Sequence, residues 1–237
     1  MQLSRIKLGQ LFQMLAIEDF GTVFNYTVQR LTTPLFNVHY IFEIDLTRAH
    51  ELATPGRPLP PGFTIRILRG ENEIGPIANN LGRAGIASAV LAERTKRGDL
   101  IAVALHQKYE VAAYNWATFT DAWMKEVRAT LLLDRNEAFG FDTFVLPRWR
   151  GKGLQYALEA RKFRHLCEHG YTRSLASVHA LNTRSLRTQA SEGKRKVATI
   201  FSVPMVGVAV VRQCFPDVVV RVERGPWWRG DVLRPPC

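Results

Sequence analysis

The chain has 237 residues, 46% of them apolar and 22% charged, which provides for one sizeable core and excludes wholesale disorder. Thirty-two lysines and arginines against 21 acidic residues give a formal charge of +11. That excess points to an acidic partner such as a phosphorylated cofactor, a carrier protein, nucleic acid or an anionic membrane, or, since the basic residues are dispersed, to a generally basic surface.

Residues 1–21 mix apolar residues with Arg5, Lys7, Gln10 and Gln13, so they read as an amphipathic helix and not as a signal peptide. Residues 38–46 alternate and are rich in β-formers, which predicts a strand. Four prolines in 53–62 predict an extended crossover, with a boundary between an N-terminal extension, 1–61, and a main domain, 62–237. A strand is expected at 63–70, then helix in two pieces over 73–97, broken around Gly82 and stopped by the run at 96–99. Two strands, 100–107 and 109–119, flank a very tight turn at Gln107–Lys108 and should form a hairpin. Residues 120–136 are ambiguous: 121–127 suit a helical turn and 128–133 a short strand.

A strand over 138–147 ends at Pro147. A helix from Gly151 carries Tyr156, Ala160, Phe163 and Cys167 on one stripe and closes at Gly170. Next come a strand at 172–180, a short helix at 182–193 with Asn182 as N-cap and Gly193 as stop, and strands near 195–203, 206–213 and 217–223. A basic tail with Trp227 and Trp228 follows and suits a homodimer contact. The order implies an α/β or α+β fold with a mixed sheet. The longest apolar run, 203–211, is far too short to span a bilayer. Cys167, Cys214 and Cys237 form no disulfide framework and no zinc pattern, so a reducing cytoplasm and no metal are expected.

The chemistry concentrates in FVLPRWRGKGLQYAL, residues 144–158. A strand runs into Pro147, and a basic, glycine-bearing turn opens a helix. A helix N-terminus offers unpaired N–H groups and the positive end of a dipole, glycines let a phosphate approach them, and Arg150 and Lys152 add charge. The spacing is neither that of a Walker loop nor that of a dinucleotide fingerprint. On the residues alone, a pyrophosphate cradle and a basic helix start both fit.

The run Val145, Pro147, Arg150, Gly151, Gly153 resembles the coenzyme A-binding motif of the GCN5-related N-acetyltransferase (GNAT) superfamily. The helix, strand and Asn182–Ser185 pair that follow are similar to that family too, and the resemblance covers about residues 63–213. The strand and Pro-rich crossover before it resemble a bacterial subgroup with an N-terminal extension. The resemblance implies a mostly antiparallel, twisted sheet flanked by helices. It further implies that the backbone of Val145 and Leu146 would bond the pantetheine arm, and that amides around Arg150, Gly151, Lys152, Gly153, Leu154 and Gln155 would take the pyrophosphate. Asn182 would sit near the thioester end and Ser185 near the pantetheine or the thiol, although Asn182 also reads simply as a helix cap. Two positions depart from the family. Gln155 stands where glycine or alanine is usual, and Gln189 stands where a tyrosine often protonates the leaving thiolate.

Transfer to an amine needs a proton acceptor. Simple alternation puts Glu137, Phe139, Phe141, Thr143 and Val145 on one strand face, and Asp142 and Phe144 on the other. Asp142, Glu137 and His179 are the candidate bases. Phe139, Phe141, Tyr114 and Trp116 line an apolar acceptor or acyl pocket, or else belong to the core. The leading expectation is an N-acyltransferase using acetyl-CoA or another acyl-CoA and a small-molecule or peptide amine. The alternatives are transfer of a longer chain from acyl-CoA or acyl carrier protein, and a catalytically silent basic module that binds protein or nucleic acid. The motif points away from nucleic acid.

Overall fold

A computed structural model describes residues 27–28, 35–48, 59–203, 208–214 and 220–224. The expected N-terminal amphipathic helix, most of the Pro-rich crossover and the Trp-rich tail lie outside the described residues. Eleven strands are described: β1 (Asn37–Asp45), β2 (Phe63–Arg69), β3 (Leu100–His106), β4 (Glu110–Thr118), β5 (Ala122–Met124), β6 (Ala129–Leu132), β7 (Glu137–Val145), β8 (Arg173–His179), β9 (Arg195–Val203), β10 (Val208–Gln213) and β11 (Arg221–Arg224). The helices are α1 (Glu71–Ile74), α2 (Ala78–Arg83), α3 (Ser88–Arg97), α4 (Leu154–Glu168) and α5 (Thr183–Ser191).

Eight strands form one sheet in the order β10-β9-β1-β8-β7-β4-β3-β2, and β11-β6-β5 form a second. Every described pair in the large sheet is antiparallel except β7 with β8. The β3–β4 hairpin turns at Gln107 and Lys108, whose φ values of 48° and 74° supply the left-handed pair that a two-residue turn needs. Strand β1 lies inside the sheet, paired along its length with β8 on one side and β9 on the other. A strand that precedes the expected boundary at residue 62 is therefore an interior member of the sheet that follows it.

Packing explains the layers. Helices α1–α3 bury Ile74, Leu81 and Leu91 on one face of β2–β4, against Leu68, Ile101, Val103 and Trp116. The small second sheet covers the same side further along, where Met124 and Leu131 meet Ile41, Phe139, Leu175 and Ile200. Helix α4 covers the opposite face. Ala102, Ala104, Ala112 and Ala113 leave room for Leu154 and Leu158 to approach the strands closely.

Several local expectations shift. The first helical region continues through Gly82 and breaks at Gly85, which takes φ +98°. Helix α4 begins at Leu154, not at Gly151, because Gly151 and Gly153 both adopt φ +76°. Its buried face holds Leu154, Leu158, Glu159, Lys162, Phe163 and Leu166, while Cys167 of the expected stripe is exposed. Two charged residues on the inward face disguise that stripe in the sequence. Residues 121–127 give β5 and a turn rather than a helical turn.

Candidate functional site

The site begins where two parallel strands part. Strands β7 and β8 pair from Glu137↔Arg173 to Gly140↔Ala176 and no further. At that point β7 bulges: Asp142 takes φ +46°, and Asp142 and Thr143 together stand opposite Asn115 of β4. The bulge turns the strand, and a cleft of about 230 Å³ opens between β7 and β8 and runs between α4 and α5. Asp142, Thr143, Ser177 and Val178 line its strand walls, and Gln155, Asn182, Ser185 and Gln189 line its helix walls.

The floor of the cleft is charged and buried. Lys162 lies below Gly140, within hydrogen-bond reach of Asn115 Oδ1 and 3.2 Å from Glu159. Asn115 Nδ2 donates to Glu159 Oε1 at 2.7 Å and also to Thr143. Lys194 reaches Glu159 at 3.4 Å and Glu192 at 2.9 Å. Burial pushes the Glu159 carboxyl up, but the ammonium groups of Lys162 and Lys194 outweigh it and hold Glu159 below the usual carboxylate range. Burial drives Lys162 below its ordinary value, and Glu159 restores part of that. Burial, with Glu159 beside it, raises Glu192. Gln189 is buried against this cluster, and its Oε1 has no hydrogen-bond partner.

The turn before α4 adjoins the cleft at Gln155. Gly153 is the N-cap and no side chain caps the helix, so the first-turn N–H groups stay open to a ligand. A Cβ on Gly151 would meet nothing within 4 Å, which leaves free space at the turn. Lys152 stands over the Trp149 ring at 5.2 Å. Trp149 is itself fixed edge-on by Phe63. Arg150 Nε donates to Val145 O at 3.2 Å, and Arg148 pairs with Glu110.

No protein-family model and no curated protein matches the sequence. Solved structures do. A tandem GNAT protein from the clavulanic acid biosynthesis pathway matches at 14% identity over 77% of this chain and 55% of its own, with TM-score 0.53. The chain has the GNAT fold. A GCN5-related N-acetyltransferase from Kribbella flavida matches at 13% identity over 82% of this chain and 66% of its own, with TM-score 0.46. A Drosophila protein matches at 18% identity over 77% and 57%, with TM-score 0.48. The chain thus spans 55% of the tandem protein and 57% of the Drosophila protein.

On this GNAT scaffold the expected site residues separate into groups. Gly151, Lys152, Gly153 and the backbone of Leu154 form the turn, whereas the Leu154 side chain is core. Gln155, Asn182 and Ser185 line the cleft, and Asn182 Oδ1 also caps α5 by accepting from Ser185 N at 3.1 Å. Leu146 corrects the expected pairing, because its N–H is already given to Ala112 O at 2.9 Å. Strand alternation then turns the N–H of Val145, not that of Leu146, toward β8.

The candidate bases do not gather. Glu137 lies at the closed end of the β7–β8 pair, buried against Arg173 at 2.6 Å, away from the cleft. Asp142 lines the cleft but is paired with Arg94 at 2.5 Å. His179 is buried at the end of β8, where its Nδ1 accepts from Leu181 N at 3.1 Å. Of the aromatics, Phe141 reaches the cleft. Tyr114, Trp116 and Phe139 are core, with Trp116 fully buried under Arg94. The bulge also breaks the expected alternation: Phe144 packs with Phe141 on the α1–α3 side, and Thr143 turns to Asn115.

Sequence reasoning missed Asn115, Glu159, Lys162, Ser177 and Lys194, which also line the cleft. Glu159 and Lys162 are spaced i, i+3 on a helix, which was a readable signal. The others meet through sheet order. Among the described residues, no group of three His, Cys, Asp or Glu is placed to hold a metal ion, and no helix is long and apolar enough to cross a membrane.

Proposed function

We propose that this chain is an acyltransferase that moves a short acyl group from a coenzyme A thioester to an amine by direct attack. The observation that supports this most is the parting of β7 and β8 after Gly140 and Ala176, beside an uncapped helix start carrying two left-handed glycines. The diphosphate would rest on the N–H groups around Gly151–Leu154, with Lys152 beside it. The pantetheine arm would run along β7 as an added strand, using the N–H of Val145, with Asn182 and Ser185 on the far wall. That brings the thioester carbonyl to the bulge, where strand N–H groups would stabilise the oxyanion.

Attack forms the C–N bond and expels the thiolate. Gln189 has no proton to give, so the thiolate takes one from another source. The polar floor of Asn115, Glu159 and Lys162 favours a short acyl group over a long alkyl chain, whose burial there would strand charges without water. The net charge of +11 suits a donor that carries phosphates. Strand β1 belongs to the same catalytic unit in this reading, since it pairs with β8. Exposed free thiols at Cys167 and Cys214 suit a reducing, cytoplasmic setting.

The test is thiol release from a panel of acyl-CoA thioesters against pooled amines, with Gly153→Glu as the control. Amine-dependent release that is fastest with short acyl groups and lost in Gly153→Glu is the expected result. Equal release by both proteins would overturn the reading.

A further inference from the structure

Two histidines distant in sequence meet because β1 lies beside β8. His39 and His179 are directly opposed in the register of those strands. Their rings pack edge to face at 5.1 Å and 89°. Both side chains are buried, and neither Nε2 has a hydrogen-bond partner. Burying two imidazoles with unpaired nitrogens is costly.

The two rings differ in what they can accept. His179 Nδ1 accepts the N–H of Leu181 at 3.1 Å, so its proton resides on Nε2 and its lone pair is engaged. His39 Nδ1 lies 2.9 Å from Ser177 Oγ. Ser177 is the first residue of β8 beyond the last pair with β7, and it lines the cleft. A hydroxyl both donates and accepts. Ser177 therefore borders the cleft, and its hydroxyl reaches a buried imidazole.

We infer that Ser177 and His39 form a proton relay that receives the proton released when the acceptor nitrogen attacks the thioester. The inference rests on the acyltransfer reading. As the C–N bond forms and the C–S bond breaks, the nitrogen gives a proton to Ser177 Oγ while the Ser177 proton passes to His39 Nδ1. His39 later returns its proton through Ser177 to the departed thiolate or to water, and the hydroxyl is restored. Ser177 is the residue that touches the reacting nitrogen, His39 acts through it, and His179 positions the His39 ring.

The groups facing this pair set its pH behaviour. Burial, and after it the charge of a protonated His179, holds His39 down to about 4, so the ring is neutral at pH 7 and holds a relayed proton only transiently. Burial also lowers His179, and the Glu126 carboxylate in the β5–β6 turn opposes that shift. Asn37 Nδ2 ties this turn to β1 by donating to Glu126 O at 2.9 Å. On the other side of β1, His39 is opposed in register by Ile200 of β9, which has no charge.

The experiment compares wild type, Ser177→Ala, Ser177→Thr and His39→Gln in three readouts: acetyl-CoA binding, the pH profile of turnover, and the 15N resonances of the His39 ring. Ser177→Ala and His39→Gln should each lower kcat by about 100-fold, leave acetyl-CoA binding unchanged within about twofold, and together cost no more than either alone. Ser177→Thr should recover most of the rate. Nδ1 of His39 should resonate as a bare nitrogen in wild type and shift in Ser177→Ala. A protonated Nδ1 overturns the relay without reference to turnover. Normal turnover in Ser177→Ala, with acetyl-CoA bound, overturns the relay and leaves the acyltransfer reading standing. Wild type that neither binds acetyl-CoA nor releases thiol overturns both.

Discussion

A Cβ placed on Gly140 would stand 3.1 Å from the Nζ of Lys162. Gly140 is the last residue of β7 paired with β8, so the ammonium group sits under the apex of the cleft. Lys162 cannot simply swing away, because Asn115 and Glu159 hold it.

The first prediction follows from that contact. Gly140→Ala should cost about 1–2 kcal/mol by overpacking. Lys162→Met should cost about 3 kcal/mol, because it weakens a buried ionic cluster around Glu159. The double variant should cost clearly less than the sum, since methionine removes the charged group that the new methyl displaces. Urea denaturation of the four proteins measures the coupling. Strict additivity would show that Lys162 moves aside freely.

Gly151 separates backbone strain from ligand space. An added Cβ meets no protein atom there, but φ is +76°. Gly151→Ala should therefore cost only about 1–2 kcal/mol of stability, from the left-handed backbone. Its acetyl-CoA affinity, measured by calorimetry, should fall more than about tenfold, because the methyl occupies the space assigned to phosphate. Unchanged affinity would place the diphosphate elsewhere.

His39 makes a pH prediction. Its native pKa is about 4 against 6.5 for a free histidine. Between those values the unfolded chain binds a proton that the native ring refuses, so stability falls as pH drops from 6.5 toward 4 and is complete above 6.5. The loss from this one group is about 3 kcal/mol. His39→Gln should flatten that part of the curve of unfolding free energy against pH. Parallel curves for the two proteins would refute the assignment.

Much of this fold can be read from residue patterns, and the part that cannot has a common cause. The strand into Pro147, the turn at Gly151 and Gly153, and the cap at Asn182 are local features, set by backbone geometry within a few residues. The bulge at Asp142 is not visible locally, because a non-glycine residue with positive φ breaks the two-residue period without a glycine to mark it. The Ser177–His39 contact joins residues 138 apart and exists because β1 enters the sheet next to β8. Nothing in the sequence of β1 announces that neighbour. The burial of Lys162 was hidden by its charge, which reads as a solvent-facing residue until Glu159, Asn115 and the absent side chain of Gly140 are placed around it.

Asp142 supplies a further prediction. Its carboxylate is paired with Arg94 at 2.5 Å, and the Asp142 side chain is 38% exposed. Asp142→Asn should cost at most about 1 kcal/mol, in keeping with a partly exposed pair. Turnover should fall by less than about tenfold, well short of the loss expected for removal of a general base. A loss as large as that of Ser177→Ala, with stability unchanged, would move the base to Asp142.

The central claim is that the opening between β7 and β8 seats a coenzyme A thioester, and mapping of backbone amide shifts during a titration with coenzyme A tests it most directly. The account predicts saturable shifts concentrated at Val145, Gly151–Gln155 and Asn182–Ser185, with the α1–α3 face unchanged. An absence of saturable shifts, or shifts gathered on any other face, would contradict it.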